Sequence, residues 1–139
     1  MVDFKLTYAA FLFPAIPLMM LTFGNRWIAI SKLIRQMHSD FIKRKNNNNK
    51  IAFKYLSQIK ILNMRLKYVR YMQLFSGIAF IFNLFTILVG MFYNFLSPFL
   101  FIFALLFFSI ALFIFLIEIN ISSKALRTHL EDLEDIKKK

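Results

Sequence analysis

From Tyr71 to Ile117 the chain carries no Asp, Glu, Lys, Arg or His, and its one polar break is Tyr93-Asn94-Phe95-Leu96-Ser97-Pro98. A helix needs roughly 20 apolar residues to cross the hydrocarbon core of a bilayer. The run holds two such helices around a tight turn, which predicts a transmembrane hairpin with spans at about 73–93 and 98–118. A third uncharged stretch, Leu6 to Asn25, precedes them and contains Pro14 and Pro17. It does not read as a cleaved leader: Met1-Val2-Asp3-Phe4-Lys5 has one acid and one base, and Thr22-Phe23-Gly24-Asn25-Arg26 is no small-x-small site. A retained first span at about 6–25 is expected, with a kink near its prolines, whose freed carbonyls neighbouring helices can satisfy.

Between the first two spans the pattern changes from continuous to periodic. Trp27, Ile30, Ile34, Met37 and Phe41 recur three or four apart, as do Ala52, Leu56, Ile59, Leu62, Leu66 and Val69. That spacing places each set on one face of a helix. Asn46-Asn47-Asn48-Asn49 separates them, so a helical hairpin over about 26–71 with an Asn-rich loop at 46–49 is predicted. The tail, 121–139, repeats the spacing with Leu126, Leu130, Leu133 and Ile136. Its acids Glu131, Asp132, Glu134 and Asp135 are placed to face the bases of the hairpin. The expected architecture is an all-α membrane protein, a single domain over 1–139, with three transmembrane helices and helical extensions.

Composition agrees: 59% of residues are hydrophobic, against about 45–50% in soluble domains. The absence of Cys rules out disulfides and thiolate metal sites. Charge then supplies an orientation. Twelve Lys/Arg and one acid, Asp40, lie between Arg26 and Arg70, whereas the hairpin turn carries no charge. The positive-inside rule puts 26–70 and the tail in the cytoplasm, and the N-terminus and hairpin tip outside. Trp27, Tyr68 and Tyr71 would then mark the inner interface, and Tyr8 and Tyr93 the outer one. Bases beside spans are accounted for by topology and by anionic lipid headgroups, at about 1 kcal/mol per base. No nucleic-acid motif accompanies them, so a nucleic-acid partner is not expected.

Small and polar residues recur every seven positions, as in a coiled-coil seam: Ala15, Thr22 and Ala29 in the first span; Ser76, Asn83 and Gly90 in the second, with Ala79 and Thr86 between; Ser97, Ala104, Ala111 and Glu118 in the third, then Ala125. Such seams let helices approach closely in lipid. The alternative is that Ser76, Asn83, Thr86 and Gly90 line a narrow polar pathway in an oligomer. Glu118 falls near the level of Asn25, Arg26 and Arg70, and a carboxylate there requires a partner. These four residues are the candidate polar network at the inner interface, with a charged ring or gate as the sharper alternative.

Catalytic constellations are lacking: there is no G-x-S-x-G, H-E-x-x-H or P-loop, so no enzyme activity and no cofactor is expected. His38 and His129 fall at similar depth, but without supporting ligand spacing they make a weak metal site.

Pro14-Ala15-Ile16-Pro17, Asn25-Arg26, Ile34-Arg35-x-x-His38, Phe115-Leu116-Ile117-Glu118-Ile119 and Ala125-Leu126 together resemble a family of small bacterial inner-membrane proteins, the domain of unknown function twenty-seven twenty-one. The resemblance covers nearly the whole chain. It implies a three-span membrane protein and transfers no catalytic residue. The function expected is a self-associating scaffold or assembly subunit with a basic cytoplasmic stalk, acting as a homo-oligomer or with a protein partner. The alternative is a homo-oligomeric ion or small-solute channel lined by the second span.

Overall fold

The computed structural model describes residues 6–44 and 49–138, without the side chains of Arg44, Ile51, His129, Asp132, Leu133 and Ile136. Three α-helices account for nearly all of it: α1 (Thr7–Arg44), α2 (Asn49–Gly90) and α3 (Ser97–Lys137). They are 38, 42 and 41 residues long. Each therefore reaches about 60 Å at 1.5 Å per residue, twice the hydrocarbon thickness of a bilayer. All three are long and apolar enough to cross a membrane, which makes this a multi-pass membrane protein.

Each apolar span and its periodic extension form one uninterrupted helix. Pro14 and Pro17 lie inside α1 without ending it. The Asn-rich run falls largely outside the described residues, although Asn49 opens α2. Towards the turn the second helix is shorter than its predicted span. It stops at Gly90 because the N–H groups of Phe92 and Tyr93 both return to the Val89 carbonyl, at 3.0 and 2.7 Å. Pro98 then stands in the first turn of α3, where no backbone donor is needed.

The middle helix carries the bundle. Two rows on α2, each repeating every seven residues, are turned to different neighbours. Leu62, Val69, Ser76, Asn83 and Gly90 are buried on one row. The amide of Asn83 donates to the Ala9 carbonyl at 3.1 Å. In this antiparallel register Ser76 lies level with Ile16, Val69 with Phe23 and Leu62 with Ile30, and these α1 residues are buried in turn. The second row is Arg65, Met72, Ala79 and Thr86. The Ser97 hydroxyl donates to the Thr86 carbonyl at 3.2 Å, and Arg65 reaches Glu118. The same register sets Ala79 level with Ala104 and Met72 with Ala111, all fully buried. A strict seven-residue repeat keeps such seams in contact over many turns by left-handed supercoiling. Stacked rings add to the second seam, with Phe82 5.9 Å from Phe103 and 5.6 Å from Phe107.

The first span departs from expectation. Ala29 and Thr22 are exposed and Ala15 is half-buried, while the adjacent row Ala9, Ile16, Phe23 and Ile30 is buried. Small residues on α2 leave room that larger side chains on α1 must fill, so the two helices do not both present small faces. Thr22 satisfies its hydroxyl within its own helix, donating to the Leu18 carbonyl at 3.2 Å. Most of the remaining surface is apolar: Phe11, Leu18, Leu88 and Phe113 all lie more than half exposed. Contiguous apolar surface on that scale fits lipid rather than water.

Candidate functional site

Glu118 is fully buried, the only acidic or basic side chain among the described residues to be so. Its position follows from the seven-residue row of α3, Ser97-Ala104-Ala111-Glu118, which faces α2 along its length. Arg26 of α1 donates from Nη1 to Glu118 Oε2. Arg65 of α2 donates from Nε to Oε1 at 3.1 Å and from Nη2 to the Ser122 hydroxyl at 2.6 Å. All three helices thus converge on one carboxylate. The Arg26 guanidinium also lies 4.9 Å from the centre of the Phe115 ring, a cation–π contact.

Depth explains why charge is tolerated here. Arg26 lies roughly 30 Å along α1 from Thr7, and Glu118 about the same distance along α3 from Ser97. That equals the thickness of the hydrocarbon core, which fits a cluster at its edge. The side chains of Arg26 and Arg65 keep 33% and 16% of their surface, against none for Glu118. The arginines can therefore reach polar surroundings while the acid relies wholly on them. Charge-assisted bonds of this kind are stronger than neutral ones, and removing one partner strands a buried charge. Two guanidiniums against one carboxylate leave a net positive charge at this level.

Of the four predicted network residues, the structure brings together Arg26 and Glu118. Asn25 and Arg70 are exposed and face outward. Arg65 occupies the place given to Arg70. Depth along the helix was nearly right, but each residue turns the helix by about 100°, and Arg70 lies off the α3-facing row. The signal that identifies Arg65 was present in the sequence: counting back by sevens from Thr86 gives Ala79, Met72 and Arg65. Ser122, one turn beyond Glu118, lies off the seven-residue row and is identified only by its bond from Arg65.

The second candidate group lies towards the turn. Ser76, Asn83 and Thr86 are completely buried, and Gly90 is buried beside them. Thr86 donates to the Phe82 carbonyl at 2.8 Å. A Cβ on Gly90 would come within 2.1 Å of Leu6 Cδ1 and 3.0 Å of Ser97 Oγ, so this position admits only glycine without rearrangement. The row sits between α1 and α3 inside one protomer, and none of it reaches the lipid-facing surface. Ser76 Oγ and Asn83 Oδ1 are buried without a hydrogen-bond partner.

Beyond the Glu118 cluster, away from the turn, the helices enclose an open cavity of about 740 Å³. Leu33, Met37, Ile61, Leu62 and Ala125 supply apolar walls, and Arg65 and Ser122 close its membrane side. Of the tail acids expected to face the basic hairpin, Glu131, Glu134 and Asp135 are exposed and enter no ion pair among the described residues, and the side chain of Asp132 lies outside them. Leu126 and Leu130 in that segment are more than half exposed. His38 is exposed, and the side chain of His129 lies outside the described residues. Among the described residues no three His, Asp or Glu side chains converge as a metal site requires.

A family model matches residues 6–128, and the chain belongs to that family, described as protein of unknown function (DUF2721). No curated protein and no solved structure gives a significant match.

Proposed function

We propose that this DUF2721 member is a non-enzymatic protein of the bacterial inner membrane that self-associates and serves as a scaffold or assembly subunit. Its N-terminus and hairpin turn lie outside, and the extended helix ends form a basic stalk in the cytoplasm. The observation that carries this reading is apolar surface where no lipid reaches. Ile42, Phe53, Leu56, Leu126 and Leu130 are each at least half exposed, on the parts of the helices that outrun a bilayer. Exposed apolar side chains on adjoining helices beyond the membrane mark a surface that another protein covers. The bases of the stalk support the orientation and a contact with anionic headgroups.

The channel alternative gains no support from the geometry. A pathway between protomers needs polar groups on an outward face, and Ser76, Asn83, Thr86 and Glu118 have none exposed. The test is the native mass of the protein in lipid nanodiscs. Two or more copies, or a co-purifying partner in fixed ratio, is the expected result. A lone monomer at all protein-to-lipid ratios overturns the reading.

A further inference from the structure

The face of α3 turned away from α2 carries a second repeat. Taking alternately every third and fourth residue from Ile102 to Leu130 gives one row, apolar throughout except Ser109 and Ser123. It runs roughly 40 Å without a break in register. None of the row is buried in the protomer; Leu116 in the span and Leu126 and Leu130 in the tail are each more than half exposed. Alternating three- and four-residue spacing is what a helix presents to a partner helix in a coiled coil.

Lipid can cover the upper part of this row but not the lower. Leu126 and Leu130 lie about 12 and 18 Å beyond the level of Glu118. The headgroup layer extends only about 5–8 Å past the hydrocarbon edge. An occupant of the whole row must therefore cross the bilayer and continue into the cytoplasm as one helix, with the same seven-residue repeat. α3 itself meets that description. We infer that the occupant is α3 of a second copy, packed parallel along the Ile102–Leu130 row.

Charge selects this helix over the other two. The α1–α2 stalk carries twelve bases and a single acid between Arg26 and Arg70, so pairing copies through it would set like charges against each other. The tail from Ile121 onward has five bases and four acids, and both signs flank the row, as Arg127 and Glu134. Two parallel tails meet no such repulsion. Membership of one topology fixes the parallel orientation, because both copies enter the membrane the same way.

This inference rests on the self-association proposed above, and one experiment separates the two. The chain has no Cys, so single cysteines can be placed in the full-length protein without a background thiol. Leu116→Cys, Leu126→Cys and Leu130→Cys report on the row; Lys124→Cys and Thr128→Cys lie off it. In native membranes treated with oxidant or a short bis-maleimide, the row positions should cross-link to twice the monomer mass at least fivefold more than the other two. Native mass is measured on the same variants. An oligomer that cross-links evenly, or only at Lys124→Cys and Thr128→Cys, overturns the α3 assignment and leaves self-association standing. A monomeric mass without cross-links overturns both. Cross-linking of the row to a species of another mass replaces the second copy with a different protein.

Discussion

Near the Met91–Leu96 turn, α1, α2 and α3 meet over Leu6, Gly90 and Ser97, with no charged group among them. About 30 Å along the bundle the same helices meet over one carboxylate and two guanidiniums. The first end is held by close approach, dispersion and a neutral hydrogen bond from Ser97 to the Thr86 carbonyl, the second by charge-assisted hydrogen bonds. Each device suits its surroundings. Towards the turn the helices prefer one another over equally apolar lipid tails through fit and through the neutral bonds of Ser97 and Asn83 to backbone carbonyls. At the far end the arginine side chains stay partly exposed, while the fully buried acid has only them. The two ends are therefore expected to fail differently: one when volume changes, the other when charge is left unpaired.

Removing the carboxylate should give the largest effect. Glu118→Ala leaves two guanidiniums facing each other, and breaking a buried pair of this kind costs about 3–5 kcal/mol. Arg70→Ala, about 7.5 Å further along α2 than Arg65 and exposed, should change stability by less than about 0.5 kcal/mol. Thermal or denaturant unfolding in detergent, followed by circular dichroism, measures both. Equal losses for the two variants would remove the cluster from the account.

At the turn end a single methyl group is the corresponding probe. Gly90→Ala places a carbon against Leu6 and Ser97, and overpacking of this sort costs about 1–3 kcal/mol. The closest atom is the end of a leucine side chain, so the double variant Leu6→Ala, Gly90→Ala should recover part of the loss. No recovery would place the clash on Ser97 instead.

Between the ends, Asn83→Leu should have a smaller effect than Glu118→Ala or Gly90→Ala. It removes the bond to the Ala9 carbonyl, and hydrogen bonds between membrane helices average about 0.6 kcal/mol. The substitution also removes an unpartnered buried oxygen, which offsets the loss. Unfolding measured as above should therefore shift by less than about 1 kcal/mol. A shift as large as that of Glu118→Ala would make Asn83 a second polar anchor and blur the distinction between the ends.

How far the sequence could be read depends on the kind of information required. Spans were legible because each is a run of uncharged residues, and the medium dictates their minimum length. The seven-residue rows Ser76-Asn83-Gly90 and Ser97-Ala104-Ala111-Glu118 were legible because their small and polar members stand out among Leu, Ile and Phe. The row of α1 was not, since Ile16, Phe23 and Ile30 look like every other lipid-facing residue around them. Their burial is a response to the small face of α2, and complementarity cannot be read from one helix alone. Arg65 was missed for a related reason: depth was used where azimuth decided.

The sequence by itself determined that the chain is helical, that it crosses a bilayer, and that charge gathers on one side of the spans. Those properties depend on single segments in a given solvent. Only the tertiary structure decided that α2 stands in the middle and which of its faces meets which neighbour. It also decided that Arg26 and Arg65, rather than Arg70, share Glu118. Those outcomes depend on the register between helices, which is set by volumes and hydrogen bonds summed along two surfaces at once.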